Sequence, residues 1–251
     1  MEIVRATEAD LDGVRAVAAA HGLLGDWPAR PDWLDWLART GQLYVARDRA
    51  GAVLAFAGVV RDDGIAHLTD LFVAPDRLGT GIGRALLTAA FPDDGPRTTF
   101  ASGDPRAVAL YTRAGLRPLA PMLYLAGTLR PGAPVRRVAV AELDLPRPGL
   151  TAFLAEAGAY GLLTEEGAAV VRPVPGGARL GPAYGDGVAI QALAGAAAAV
   201  HGDVKLMLPG PHPALPLLLE GGMRITDADT AMASATGLLD LVRALPDADL
   251  G

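Results

Sequence analysis

Apolar positions recur along the chain with strand and helix periods and divide it into short elements. Residues 2–6 alternate as in a strand, and residues 7–10 resemble a capped helix start, followed by an apolar helical stripe. Further strands are predicted at 42–48, 52–61, 65–73, 98–101 and, as a pair of segments, 117–128. Further helices are predicted at 32–39, from about residue 81 to 91, and at 104–114. This order predicts an α/β fold with a mixed sheet rather than a regular βαβ series.

The second half of the chain repeats the order of the first half. Strands are predicted at 160–164, 168–173, 178–183, 204–208 and 223–234, and helices at 188–200, 213–221 and, to close the chain, 235–245. Proline and glycine at 131–134 and 145–149 are typical of linkers. The pattern predicts an internal duplication with one domain at 1–130 and a second at 135–251.

Composition and charge narrow the classes of function. The 251 residues include no cysteine, and the four histidines show no helical ligand spacing, so we expect no disulfide, metal site or cysteine nucleophile. The net charge of −6 without a basic run argues against nucleic acid and anionic membranes as partners. The longest apolar stretch, 192–200, is too short to span a bilayer. We expect a cytoplasmic protein that is a monomer or homodimer.

A glycine-rich turn after the strand ending at Val73 is the most informative motif. Gly79, Gly81 and Gly83 stand where the first unpaired N–H groups of the next helix are exposed, which favours a phosphate or pyrophosphate there. A bare strand-to-helix connection is the alternative. The G-x-G-x-G spacing differs from the dinucleotide-binding G-x-G-x-x-G, and the Gly-Lys-Ser/Thr of a Walker loop is absent.

Two segments together resemble the GNAT superfamily of N-acetyltransferases. Residues 73–84 resemble its acetyl-CoA pyrophosphate loop, and residues 104–116 resemble its second signature. The resemblance covers 1–128 by motif and 158–234 only by element order. It implies two tandem GNAT-like acetyltransferase folds, the second one degenerate. There the turn at 184–187 has the wrong glycine spacing, and Asp186 would repel a phosphate.

The resemblance implies acetyl-CoA as the cofactor and a set of residues that bind it. The backbone at Leu71, Phe72 and Val73 would pair with the pantetheine arm. The N–H groups that would hold the pyrophosphate are those of Gly79, Thr80, Gly81, Ile82, Gly83 and Arg84. Asp104 stands where the family most often has asparagine, so it would either contact CoA or only cap a helix. Leu78 occupies the position at which the family usually has glutamine or arginine, and Arg77 lies one residue before that position.

The resemblance also implies catalytic residues. Tyr111 stands where the family places the tyrosine that protonates the CoA thiolate; the alternative is a packing residue on a helix. His67 stands where several members place a base, and an imidazole suits that task, although a lone strand histidine is often simply packed. Strand alternation places Asp70 on the face opposite His67, which makes Asp70 a lesser candidate.

All three tryptophans fall in one window, alternating with aspartates. In the family this segment borders the acceptor pocket, so Trp27, Trp33 and Trp36 are candidate substrate residues for a cationic amine. Alternatively, Trp33 and Trp36 pack a helix onto the sheet.

The sequence therefore predicts an acetyl-CoA-dependent N-acetyltransferase. The acceptor would be a primary amine of a small molecule, attacking directly in a ternary complex because no cysteine can carry the acyl group. Two alternatives remain open. One is a non-catalytic acyl-CoA-binding or regulatory protein, and the other is a different acyl donor such as succinyl- or propionyl-CoA.

Overall fold

A computed structural model describes residues 1–91, 95–145, 147, 149–247 and 249–250. The strands of these residues are β1 (Glu2–Arg5), β2 (Leu43–Arg47), β3 (Val53–Asp62), β4 (Ile65–Val73), β5 (Arg97–Ala101), β6 (Arg117–Gly127), β7 (Arg136–Val138), β8 (Tyr160–Leu163), β9 (Gly167–Val174), β10 (Gly177–Gly185), β11 (Asp203–Pro209), β12 (Arg224–Ala233) and β13 (Ala244–Leu245). The helices are α1 (Leu11–Ala20), α2 (Trp33–Arg39), α3 (Ile82–Ala90), α4 (Pro105–Arg113), α5 (Leu150–Glu156), α6 (Gly187–His201) and α7 (Ala214–Glu220).

One continuous mixed sheet runs through both halves of the described chain. Its order is β1-β2-β3-β4-β5-β12-β6-β11-β10-β9-β8-β7, with β13 paired to β10. The two halves exchange strands at the centre: β12 lies between β5 and β6, and β6 lies between β12 and β11. The boundary predicted near residue 130 falls in the loop between β6 and β7. The division into two domains stays a prediction.

Helices cover both faces of the first half because its central strands are apolar on both faces. Phe56 and Val60 of β3 pack with α1, α2 and α5 on one face. Ala57 of β3 and Leu68 of β4 pack with α3 and α4 on the other. A separate cluster joins α6 and α7 to the strands of the second half. The centre of the sheet in the first half is therefore covered on both faces.

The predicted mixed α/β fold is confirmed, and the predicted order of elements holds with three differences. The closing helix at 235–245 is wrong: residues 234–243 form bends and turns, and β13 follows. The two segments predicted at 117–128 form one strand, β6. The sequence reading also missed β7 and α5. Of the predicted linker at 145–149, Pro146 and Pro148 lie outside the described residues.

The second half fills its own strand opening with β13. Parallel pairing of β10 with β11 runs from Gly177 to Leu180. Beyond it, β13 pairs with Ala183 and Tyr184 of β10, and the Gly185 N–H donates to the Arg243 carbonyl at 2.9 Å. At the start of α6, the Asp186 carboxylate caps the Ala189 N–H. Chain atoms therefore occupy the positions that a ligand would need in this half.

Candidate active site at the β4–β5 opening

Strands β4 and β5 separate after a short paired segment. Their parallel register covers Ala66–Leu68 against Arg97–Thr99, where the Thr99 hydroxyl also donates to the Leu68 carbonyl at 2.9 Å. β4 then continues to Val73 without β5 beside it. Leu71, Phe72 and Val73 line this opening as predicted by position, although the Val73 carbonyl accepts a hydrogen bond from His21 Nε2 at 2.9 Å. An extended ligand could therefore add to β4 there.

The predicted strand–turn–helix at the glycines is confirmed. Gly79 and Gly81 have φ of 76° and 87°, the left-handed region that favours glycine, and Gly81 is the N-cap of α3 without any side-chain cap. A Cβ at Gly83 would lie 3.3 Å from Val73 Cγ2, so the glycine lets α3 approach β4. Residues 78–81 are exposed. Among the described residues, nothing accepts from the N–H groups of Ile82, Gly83 and Arg84.

A β-bulge in β4 changes which side chains share a face. Gly58 of β3 pairs with Asp70, but its neighbour Val59 pairs with Leu68, which leaves Thr69 as an extra residue. Because Val60 pairs with His67, Asp70 and His67 face the same side of the sheet. The prediction of opposite faces is therefore wrong. Gly58 carried the signal, since an isolated glycine within a strand often marks a bulge; a Cβ there would lie 2.4 Å from Thr69 Oγ1.

Asp70 is a buried carboxyl group next to the opening. It accepts hydrogen bonds from the Thr69 hydroxyl at 2.7 Å and from Trp33 Nε1 at 3.3 Å. No salt bridge to Asp70 is present among the described residues. Burial, reinforced by the charge of Asp249, raises the pKa of Asp70 to about 7. This carboxyl can therefore both hold and release a proton near neutral pH.

Tyr111 approaches the opening from α4. The residue is 6% exposed, and its hydroxyl has no hydrogen-bond partner among the described residues. Burial raises the pKa of Tyr111, and the nearby charges of Asp70 and Asp229 raise it further. The phenol is therefore protonated throughout the physiological range.

Asp229 comes from β12 and was not found from the sequence. Thr230 pairs with Ala101, the last residue of β5, so Asp229 lies just past the end of that strand. Its carboxylate accepts from the Tyr124 hydroxyl at 2.7 Å, and burial raises the pKa of Asp229. Only the exchange of β12 into the first half brings this carboxyl near Tyr111.

The three tryptophans are packing residues with buried rings. Trp27, Trp33 and Trp36 are 6%, 1% and 2% exposed, and Trp27 and Trp36 stack on Phe153 of α5. Trp33 reaches the site through its hydrogen bond to Asp70, and Trp27 Nε1 donates to Asp249 at 2.7 Å.

The three aspartates next to these tryptophans in the sequence form salt bridges with basic side chains of the same chain. Asp32 and Asp35 pair with Arg15 at 2.8 and 2.6 Å. Asp26 pairs with Lys205 at 2.6 Å and with Arg179 at 3.2 Å. These carboxylates therefore stabilise the fold, whereas Asp70 and Asp229 have no salt bridge within the described part of the chain.

His67 and Asp104 lie in settings that change their predicted roles. His67 is buried against Phe100, and its Nδ1 lies 2.8 Å from the Thr98 hydroxyl. Burial lowers the pKa of His67 to about 3, so the ring is neutral and only weakly basic. Asp104 caps α4 through the Arg106 N–H at 2.9 Å, and its carboxylate pairs with the Arg106 guanidinium at 2.7 Å.

Two further findings concern metals and membranes. In the described residues, no group of three or more histidine, aspartate or glutamate side chains could hold a metal ion. None of the described helices combines the length and apolar character needed to cross a bilayer.

Comparison with known proteins gives a family match to part of the chain and a fold match to all of it. Residues 39–117 match the model of the acetyltransferase (GNAT) domain. No curated protein sequence matches significantly.

Solved structures share the fold at low identity. A protein of Pyrococcus horikoshii, proposed to be an acetyltransferase, superposes with a TM-score of 0.79 at 15% identity, covering 100% of this chain and 95% of its own. A tandem GNAT protein from the clavulanic acid biosynthesis pathway gives 0.62 at 19%, with coverage of 95% and 99%. A GCN5-related N-acetyltransferase of Sphaerobacter thermophilus gives 0.58 at 15%, with coverage of 92% and 94%.

Proposed function

We propose that this chain, whose residues 39–117 match the model of the GNAT acetyltransferase domain, transfers an acetyl group from acetyl-CoA to a primary amine of a small molecule. The observation that carries the proposal is that Asp70 and Asp229 both lie close enough to Tyr111 to raise its pKa, beside the point where β4 and β5 separate. Aminolysis of a thioester is accelerated by a proton acceptor for the amine and a proton donor for the departing thiolate, and a further carboxylate can attract the ammonium form of the amine.

The residues of the first half fit CoA. The uncapped N–H groups at the start of α3, with the positive end of the helix dipole, suit a diphosphate, and Gly79 and Gly81 leave open space beside them. The free edge of β4 suits the amide groups of pantetheine. When bound, acetyl-CoA supplies an activated acyl group. The second half has no equivalent binding site, because β13 pairs with β10 at the corresponding strand edge and the Asp186 carboxylate caps the start of α6.

We assign the role of base to Asp70 rather than His67. An amine binds as an ammonium ion at neutral pH and must lose a proton before it can attack. A carboxyl with a pKa of about 7 is matched to that step, whereas an imidazole with a pKa of about 3 has little affinity for the proton. The Trp33 N–H and the Thr69 hydroxyl orient the carboxylate.

The acceptor recognised by this site is cationic. Asp70 and Asp229 are both partly or fully buried and lack an ion-pair partner among the described residues, which is costly unless an ammonium group enters. Tyr124 holds Asp229 in place through its hydroxyl. Neighbouring carboxylates also exclude anionic substrates from the opening.

Thiol release with a panel of amines tests the function directly. Because the chain has no cysteine, a thiol reagent reports only the CoA that is set free. We expect release that depends on both acetyl-CoA and a primary amine. If the protein binds CoA but no amine causes release of the CoA thiol, a non-catalytic CoA-binding protein is favoured. If the thiol is released faster from succinyl- or propionyl-CoA than from acetyl-CoA, the acyl donor is that thioester instead.

Replacing Tyr111 with phenylalanine should lower turnover by about 100-fold, because a proton donor to the departing thiolate is lost. The affinity for CoA should stay within twofold, since the hydroxyl has no other partner. Tyr44→Phe, in half-buried β2, is the matched control and should retain activity. Equal turnover for Tyr111→Phe and wild type would leave Tyr111 as a packing residue only.

A further inference from the structure

A cavity lies on the face of the sheet that carries His67 and Asp70, next to β13. Its volume is about 460 Å³, within the range of small-molecule sites. Strands of the first half form one wall, and the segment 238–246, which includes β13, forms another. Asp70, Tyr111 and Asp229 do not line it, so it is distinct from the three groups proposed to act in acetyl transfer, although His67, on the same face as Asp70, forms part of its wall.

The walls of this cavity are mainly apolar. The side chains that form them come from both halves and from the segments that connect them: Ile65, Phe100, Met122, Leu150, Leu239 and Leu241. A molecule that enters therefore gains affinity by burying apolar surface.

A buried imidazole with an unpaired nitrogen faces the cavity. His67 is 6% exposed and lines the wall; its Nδ1 is engaged by Thr98, but its Nε2 has no partner among the described residues. Buried polar atoms are nearly always hydrogen-bonded, and an unpaired one is costly. A ligand with a hydrogen-bonding group would satisfy Nε2.

Charge at the cavity selects against anions. The carboxylates of Asp62, Asp63, Asp144 and Asp240 line it, together with one guanidinium, that of Arg147. The excess of negative charge disfavours carboxylate or phosphate ligands, including CoA itself.

We infer that this cavity is a second binding site, for an apolar small molecule that carries no negative charge and hydrogen-bonds to His67. The site lies between the two halves of the chain, and β13 of the second half forms part of its wall. This inference does not depend on acetyl transfer, because it concerns binding alone.

Calorimetric titration of the full-length protein with 2-naphthol tests the inference, and 2-naphthoate is the anionic probe of matched shape. We expect saturable binding of 2-naphthol, at least tenfold tighter than 2-naphthoate. Leu239→Trp, which fills the cavity, should weaken binding of 2-naphthol at least tenfold. Val188→Trp, on the exposed face of α6, should not change it.

Variants of His67 test the polar contact. His67→Gln keeps a hydrogen-bonding group and should bind 2-naphthol within a few-fold of wild type, whereas His67→Phe should bind it at least tenfold more weakly. Circular dichroism and the melting temperature show whether each variant is folded. A magnetisation transfer from the ligand to the Met122 methyl group would place it in the cavity.

Three results would overturn the inference: no saturable binding by the wild type, a preference for 2-naphthoate, or binding that Leu239→Trp leaves intact. Displacement of 2-naphthol by an amine that the enzyme acetylates would also overturn it, since the cavity would then belong to the acceptor site. Loss of thiol release in the amine panel with intact naphthol binding would refute only the proposed function.

Discussion

Replacing Asp70 with asparagine should reduce kcat about 10²- to 10⁴-fold, the range expected when a general base is removed. The amide has the shape of the carboxyl group. Its oxygen can still accept from Trp33 Nε1, and its NH2 group can donate to the Thr69 hydroxyl, but it cannot take a proton. Affinity for CoA should be unchanged, because Asp70 faces away from the glycine turn. Steady-state kinetics with the best amine of the panel and calorimetry with CoA measure the two quantities.

The pH dependence separates Asp70 from His67. With a pKa of about 7 in the folded protein, Asp70 loses its proton as pH rises through neutrality, so kcat/KM of the wild type should rise through that pH. The profile of Asp70→Asn should lack this step. Asp12→Asn, on the exposed side of α1, is the matched control. If His67 were the base, His67→Gln would lose turnover and Asp70→Asn would not.

The same substitution should stabilise the fold at alkaline pH. The Asp70 carboxyl has a pKa near 3.8 when unfolded and about 7 when folded, so the wild type loses stability between these values as pH rises, and no further above them. Asparagine removes that loss, which amounts to at most about 4 kcal/mol at pH 8. Urea unfolding at pH 4 and pH 8 measures it. A variant less stable than wild type at pH 8 would contradict the assignment.

Gly81→Glu should abolish CoA binding. At 100 times its dissociation constant, CoA should stabilise the wild type by about 2.7 kcal/mol, a rise in melting temperature of roughly 5–10 °C. A carboxylate at the N-cap of α3 would repel the diphosphate and occupy the open space beside Gly81. The rise in melting temperature should therefore disappear, and thiol release should fall to background.

Two controls separate charge from backbone strain, because Gly81 has φ of 87°. Gly176→Glu introduces the same side chain at φ of 77°, in open space in the turn between β9 and β10, and should keep the full CoA response. Gly81→Gln adds a side chain of similar volume without charge and should retain part of the rise in melting temperature caused by CoA. A full response in Gly81→Glu would refute the diphosphate site.

Local features of the first half were predictable from the sequence. The glycine turn was visible because positive φ at Gly79 and Gly81 requires a residue without Cβ, and that need does not depend on the rest of the fold. The helix with Tyr111 and the strand with His67 were equally visible from apolar period alone. The cap at Asp104 follows from side-chain chemistry at a helix start.

Features that depend on pairing between distant segments were not predictable in this way. One extra residue, Thr69, reverses the face of Asp70, and strand alternation cannot show it. Asp229 lies near Tyr111 only because β12 pairs with β5. The paired residues of these two strands are more than half the chain apart in the sequence. The aspartates beside the tryptophans had the expected charge, but their partners Arg15, Arg179 and Lys205 come from other elements.

Because β12 lies between β5 and β6, the part of the sheet next to β5 is complete only after residues 224–233 have been synthesised. A nascent chain with the first 130 residues carries the glycine turn, Asp70 and Tyr111, yet it lacks Asp229 and the strand that covers the edge of β5. A chain that ends before β12 would therefore contain two of the three groups of the proposed site without the third.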